Sequence, residues 1–298
     1  MNSTLRFSAI DIGSNAIRLL FSRVIEKDNE SLFFVKESLI RMPLRLGFDA
    51  FTTGAISEKN CDNFLSTLSG FKYLIEAYQP IDYRACATAA IRNAKNGLSL
   101  VERVKDQTGI KIDIINGQEE AAMILSRNIS QYIKNNKNYI HIDVGGGSTE
   151  LTIIKNGKKQ ISKSFSIGSV RLLEGKVEKS FWDDMKFWIS SSAKGIGPIT
   201  AIGSGGNINK IASMEKKDKG ESVQYGHIKK LIKSISTKSL QERTTTLGLR
   251  PDRADVIIHA SKIYLRCMKW SGAEKIIVPQ SGLADGIVGQ LYNKYRRL

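Results

Sequence analysis

This chain lacks the stretches that would carry it into a membrane. No apolar run approaches the roughly 20 residues that a bilayer-spanning helix needs. The opening Met1-Asn2-Ser3-Thr4-Leu5-Arg6 has no signal-peptide apolar core, because Asp11 interrupts the apolar run early. A cytoplasmic protein with no membrane partner is expected. Cysteine is scarce: Cys61, Cys86 and Cys267 are odd in number and far apart. That excludes a disulfide framework and a zinc spacing, and suits reduced, buried thiols. His141, His227 and His259 are equally scattered, which argues against a His-built metal centre. No Walker lysine follows any glycine turn, the Rossmann spacing is missing, and there is no zinc-finger, RNP or GXXG signature.

What is present suits a globular α/β protein. The 298 residues, 41% hydrophobic and 25% charged, are enough for two domains with a buried core. The net charge of +16 implies a polyanionic partner or ligand. The lysines are spread over Lys155–Lys163, Lys210–Lys219 and Lys229–Lys238, and most read as solvated faces. Nucleic acid binding would rest on charge alone and is set aside.

The stretch that stands out is Tyr139–Leu151, Tyr-Ile-His-Ile-Asp-Val-Gly-Gly-Gly-Ser-Thr-Glu-Leu. An apolar run ends in Asp143, three glycines follow, and Ser148-Thr149-Glu150 opens a second apolar run. This reads as a β-hairpin. Glycines let backbone come close to a ligand, and successive N–H groups can form an anion nest. A carboxylate beside such a nest would repel bare phosphate, so the pattern points to phosphate together with a divalent cation.

The periodicities around it set the organisation. Leu5–Ile12, Ile17–Ile25 and Leu32–Leu39 read as a strand meander, followed by a helix over Ile56–Tyr78 with Ser57 as N-cap. A strand over Ile81–Ala87, a short helix at Thr88–Arg92, a helix over Leu98–Gln107 and a strand over Lys111–Ile115 come next. Asn116-Gly117 reads as a turn before a helix over Gln118–Ile133. A second meander follows over Tyr139–Val144, Glu150–Lys155 and Lys159–Ile167. Helices are expected at Val170–Lys176 and Phe181–Lys194, then a strand at Ile199–Ile202 and a helix through Met214. A polar loop, Glu215–Ser222, precedes helices at Ile228–Ser236, Leu240–Thr245 and Arg253–Trp270. A strand at Lys275–Pro279 and a helix over Leu283–Tyr295 finish the chain. Ile10-Asp11-Ile12-Gly13 recurs as Ile142-Asp143-Val144-Gly145 at matched places in two matched element orders. Two similar α/β domains are expected, with both Asp-Gly turns at one cleft.

Four groups could serve that cleft. Asp11-Ile12-Gly13-Ser14-Asn15 could offer backbone N–H groups and the Ser14 and Asn15 side chains, or be a plain strand end. Gly145-Gly146-Gly147-Ser148 is the second. Gly203–Asn207, between a strand and a helix, could place an anion at the helix N-terminus or mark close packing. Glu119-Glu120 open a helix, where acids are favoured anyway. Adjacent helical residues project about 100° apart, so one of the pair would face a given site and could act as general base on water. Arg92, where a strand gives way to a helix, could be a bidentate phosphate donor or a surface ion pair.

Seven stretches together resemble the exopolyphosphatase / guanosine pentaphosphate phosphohydrolase family. They are Ala9–Leu19, Cys86–Ala94, Asn116–Ala121, His141–Leu151, Gly203–Asn207, Arg250–Asp255 and Gly282–Val288. They follow the family's order along the whole chain. The resemblance implies two ribonuclease-H-like domains of the actin-like, sugar-kinase and heat-shock-ATPase superfold around a cleft. The expected domains are 1–123 and 124–298, with the final helix, about 283–298, able to pack back on the first. It implies Glu120 as catalytic base and Asp143, Glu150 and Asp11 around Mg²⁺, for which Mn²⁺ could substitute. It gives phosphate binding to Gly145, Gly146, Gly147 and Ser148, facing Ser14, Asn15 and Arg92. Arg18, Gly205, Gly206 and Arg253 match positions in the groove for a longer anionic substrate.

Ala16 departs from the family, which often has Ser there, and the third loop reads Gly-Ser-Gly-Gly-Asn. The chain given stops at Leu298, before the helical C-terminal region of longer members. Short inorganic polyphosphate is therefore the expected substrate, with guanosine pentaphosphate as the alternative. A homodimer is compatible with the family. A kinase of the same superfold and a non-catalytic polyphosphate or alarmone sensor are the competing readings.

Overall fold

The computed structural model describes residues 4–26, 32–125 and 127–297. Of the sequence expectations, the start at Met1-Asn2-Ser3 and residue 126, inside the helix expected at 118–133, lie outside the described residues. The chain divides into two compact units, one of Met1–Asn116 with Leu283–Leu298, the other of Gly117–Gly282.

The first unit opens with β1 (Thr4–Ile12), β2 (Ile17–Glu26) and β3 (Leu32–Met42). Then come α1 (Leu46–Thr52), α2 (Glu58–Tyr78), β4 (Asp82–Ala87), α3 (Ala89–Asn93), α4 (Gly97–Thr108) and β5 (Ile112–Ile114). The sheet order is β3-β2-β1-β4-β5. β2 runs antiparallel to both β1 and β3, while β4 and β5 continue parallel to β1. β1 is buried over most of its length, as suits a central strand covered on both faces. α2 lays Cys61, Phe64, Leu65, Leu68, Phe71 and Ile75 inward at helical spacing. Ser57 is its N-cap residue without a side-chain cap bond. Asp49 of α1 braces that end, with Oδ2 accepting from Ser57 N at 2.9 Å, Ser57 Oγ at 2.6 Å and Asn60 Nδ2 at 2.8 Å. Burial alone would raise the Asp49 carboxyl, but the bonds from Ser57 and Asn60 outweigh it and hold the group below its ordinary value.

The second unit begins with α5 (Gly117–Leu125) and α6 (Arg127–Ser130), then β6 (Asn138–Val144), β7 (Thr149–Lys155) and β8 (Lys158–Phe165). α7 (Ser169–Leu173), α8 (Lys179–Ala193), β9 (Ile199–Ser204), α9 (Gly206–Met214) and β10 (Ser222–Gln224) follow. α10 (Tyr225–Ser236), α11 (Leu240–Thr245), α12 (Pro251–Ala254), α13 (Ile257–Ser271) and β11 (Lys275–Ile277) complete it. Its order is β10-β11-β9-β6-β7-β8. Read from β8, this repeats the first sheet: an antiparallel meander, then strands parallel to the meander's first, with β10 added antiparallel at the edge. The two units are similar, as the recurring Ile-Asp-x-Gly suggested, and ribonuclease-H-like, as the family resemblance implied. β6 and β7 are almost wholly buried, and β8 is an exposed, lysine-rich edge. Ile140, Ile142, Leu151 and Ile153 pack with Met185, Ile189, Ile263 and Tyr264 in one core.

α14 (Leu283–Tyr295) returns to the first unit. Tyr292 and Tyr295 meet the Phe7 ring edge-on, Tyr292 also meets Phe34, and Arg84 donates to Gln290 at 2.7 Å. No helix among the described residues is long and apolar enough to cross a membrane.

Four boundaries differ from expectation. The division falls at Asn116/Gly117 and not at 123/124, because α5 packs on β7 and β8. α1 lies in a stretch to which no element was assigned, and β10 lies partly in the expected loop Glu215–Ser222. The helix expected over Arg253–Trp270 is broken into α12 and α13, and Arg243 Nη1 donates to the Ala254 carbonyl at 3.0 Å where α12 ends.

Candidate active site

The second unit brings three predicted carboxylates together. Asp143 is the last but one residue of β6, and the β6–β7 register sets Glu150 directly across from it. Glu120 comes from the first turn of α5, on the face turned inward, while Glu119 is exposed. Glu120, Asp143 and Glu150 are 8%, 7% and 1% exposed. One carboxylate oxygen of each lies within 4.8 Å of those of the other two. Three carboxylates this close in a buried volume make a donor set suited to a hard cation.

Two glycines let the trio assemble. A Cβ on Gly117 would stand 2.5 Å from Ser164 Cβ and 3.2 Å from Glu150 Oε1. Only glycine lets the start of α5 come down onto β7 and β8. Ser164, the register partner of Glu150 on β8, donates its hydroxyl to Glu150 Oε1 at 2.8 Å. On the other side, Gly205 has φ +109, and a Cβ there would lie 2.9 Å from the Val144 carbonyl and 3.5 Å from Asp143 Oδ1.

The glycine turn is held from outside. The Gly145 carbonyl accepts from Ser169 N at 3.0 Å, and the Gly146 carbonyl accepts from Val170 N at 2.9 Å and Arg171 N at 3.2 Å. The Gly147 carbonyl accepts from Arg171 Nε at 2.8 Å. All three carbonyls therefore point to α7 and its Arg171. The peptides are trans, and in a trans peptide N–H points opposite to C=O. The amides of Gly146, Gly147 and Ser148 consequently present a row of three N–H groups on the side away from α7, a ready anion nest. Gly168 closes the brace, because a Cβ there would meet the Gly146 carbonyl oxygen at 2.3 Å.

His141 lies on β6 close by, fully buried, with Nε2 at 2.8 Å from Ser204 Oγ. Burial lowers its pKa to about 3, so the ring is neutral near neutral pH.

In the first unit the matching turn is built by α1. The Ser14 carbonyl accepts from Gly47 N at 2.7 Å, the Asn15 carbonyl accepts from Arg45 N at 3.3 Å, and Gly13 N closes on Ala16 O at 3.2 Å. Ser14 is buried. Asp11, expected beside the metal, is ion-paired with Arg18 at 2.6 Å and is not among the grouped carboxylates. Arg92 donates to the Ile115 carbonyl at 2.7 Å. Gly205 is the N-cap residue of α9, Gly206 its first residue, and Arg253 sits on α12 of the second unit.

Ser164, Gly168 and Arg171 were missed in the sequence. Gly168 and Arg171 had a readable signal, a strand, a glycine and a helix in close succession. Ser164 had none, since its role depends on register.

Known proteins resemble this chain over most of its length. The Ppx/GppA phosphatase family matches residues 24–295. A bifunctional 3-dehydroquinate synthase/phosphatase of Fusobacterium nucleatum is 29% identical over 97% of this chain and 46% of its own. A guanosine-5'-triphosphate,3'-diphosphate pyrophosphatase of Photobacterium profundum is 23% identical over 97% of this chain and 60% of its own. Exopolyphosphatase 1 of Mycobacterium tuberculosis is 21% identical over 95% and 87%. The chain thus spans about half the length of the first two relatives. The crystal structure of the Aquifex aeolicus Ppx/GppA family member superposes with a TM-score of 0.76 at 26% identity, covering 98% of this chain and 99% of that one.

Proposed function

Because the chain belongs to the Ppx/GppA phosphatase family, we propose that it is a hydrolase that releases terminal orthophosphate from inorganic polyphosphate, short chains above all. The observation that carries this reading is the buried Glu120–Asp143–Glu150 trio, whose Asp143 and Glu150 lie two residues to either side of a glycine nest. The nest holds the terminal phosphate. Glu120 takes a proton from water, the water oxygen bonds to the terminal phosphorus, and the bond from that phosphorus to its bridging oxygen breaks. The bridging oxygen leaves with its electron pair on a chain one phosphate shorter. Ser164 and Gly117 hold Glu150 in place, and the α7 brace keeps the nest aimed.

A divalent cation fits the trio. The donors are all carboxylate oxygens, the choice of hard ions. Three atoms within 4.8 Å of one another lie within about 2.8 Å of a common point, from which a modest contraction reaches the roughly 2.0–2.1 Å of Mg²⁺. Mg²⁺, or Mn²⁺ in its place, held by Asp143 and Glu150, would neutralise phosphate charge. Asp11 is engaged by Arg18 and takes no part in this proposal.

Guanosine pentaphosphate is the second reading, favoured by the relative from Photobacterium profundum named for that activity. A phosphate-release panel with Mg²⁺ separates short polyphosphate, long polyphosphate, guanosine pentaphosphate and ATP. Release from short polyphosphate that Glu120→Gln abolishes is expected. Tight binding without release would make the chain a sensor, and release dependent on an organic acceptor would make it a kinase.

A further inference from the structure

Behind Asp143 stands a residue that the reaction does not use directly. Tyr264, on α13, is fully buried and is among the largest side chains with no exposure. Its hydroxyl donates to the Ser204 carbonyl at the end of β9. Ser204 is the register partner of Asp143 across the parallel β6–β9 pair. Beyond this point the two strands part, β6 into the glycine nest and β9 into Gly205 and α9. The hydroxyl fills the fork between them: a Cβ on Gly205 would meet it at 3.1 Å, the Val144 carbonyl at 2.9 Å and Asp143 Oδ1 at 3.5 Å.

Resting on the proposed cation site, we propose that Tyr264 is a positioning residue for Asp143, pinning the β6–β9 fork so that the carboxylate is preset for a divalent cation. Without its donor, the buried Ser204 carbonyl would lose a hydrogen bond, and the space beside Gly205 would open under Asp143. The phenol suits a fixed donor. Burial pushes its pKa well above the ordinary value, the neighbouring Asp143 charge adds to this, and backbone hydrogen bonding from Val144 opposes it. It therefore keeps its proton near neutral pH.

The test is Tyr264→Phe in the full chain, read by calorimetric titration with Mn²⁺ and by the Mg²⁺ dependence of phosphate release. The Mn²⁺ dissociation constant is expected to rise about tenfold, the range seen when a residue supporting a metal ligand is lost. The Mg²⁺ needed for half-maximal rate should rise with it, and kcat at saturating Mg²⁺ should recover toward wild type. Met268→Ala, one turn further along α13 in the same core, should lower Tm while leaving Mn²⁺ affinity unchanged. Gly205→Ala disturbs the fork from its other side and should weaken Mn²⁺ binding as Tyr264→Phe does, which keeps the test open if the tyrosine variant does not fold. A Tyr264→Phe protein with lowered Tm and wild-type Mn²⁺ affinity would overturn the proposal. Wild-type protein that binds no Mn²⁺ would overturn the cation site itself, a different result from Mn²⁺ binding that Tyr264→Phe leaves unmoved.

Discussion

Removing one charge from the carboxylate trio should stabilise the protein while disabling it. At 4.8 Å and an effective dielectric of about 20, each like-charged pair costs about 3 kcal/mol. Glu150→Gln removes two of the three pairs and keeps the acceptor that the Ser164 hydroxyl uses. Relaxation and water entry lower the gain, so about 1–3 kcal/mol is expected in EDTA. At roughly 2–4 °C per kcal/mol for a unit of this size, Tm should rise by about 2–12 °C. Divalent ions should reverse the order of benefit. Wild type at a hundredfold excess of Mn²⁺ over its dissociation constant gains about 2.7 kcal/mol, and Glu150→Gln should gain much less. Calorimetry with EDTA and with Mn²⁺ reads both effects. A Glu150→Gln protein that melts below wild type in EDTA would refute the reasoning, because Glu150 would then be a structural acceptor and not one of three crowded charges.

Glu120→Gln should leave the far-ultraviolet spectrum unchanged and lower the phosphate-release rate by at least about 100-fold, the usual scale of a lost general base. Gly168→Ala should force the nest aside, destabilise by about 1–3 kcal/mol as overpacking does, and raise KM for polyphosphate in initial-rate measurements. Asp49→Asn should destabilise the first unit at neutral pH but hardly in acid. The folded Asp49 carboxyl lies below its ordinary value, so its contribution is full above the unfolded value and is lost as pH falls through the folded one. Denaturant titrations between about pH 7 and pH 2 should therefore show a shallower acid loss in the variant than in wild type.

The twofold architecture was legible because β1 and β6 carry the same Ile-Asp-x-Gly ending, and buried central strands leave long apolar runs. The trio was legible in part. Asp143 and Glu150 flank the glycines, and helix geometry required that only one of Glu119 and Glu120 face inward. Choosing Glu120 needed either the family resemblance or the packing of α5 on β8. The rest is tertiary. Ser164 reaches Glu150 through strand register, and Tyr264 reaches the fork from a helix, 60 residues along the chain from the Ser204 it bonds. α1 was hidden because its seven residues include only four buried ones and follow a left-handed Arg45. Short helices of this kind owe their existence to what they pack on more than to their own propensity.

The return of α14 gives the two units different histories during synthesis. Gly117–Gly282 is an unbroken segment, so it can finish folding as soon as it leaves the ribosome. The first unit is split, and the aromatic cover over Phe7 arrives with Tyr292 and Tyr295. Its first strand, made earliest, is covered last. At about 5–20 residues per second, that strand waits on the order of ten seconds or more with one face open. The half of the molecule that begins the chain is therefore the half that needs shelter while the chain is being made.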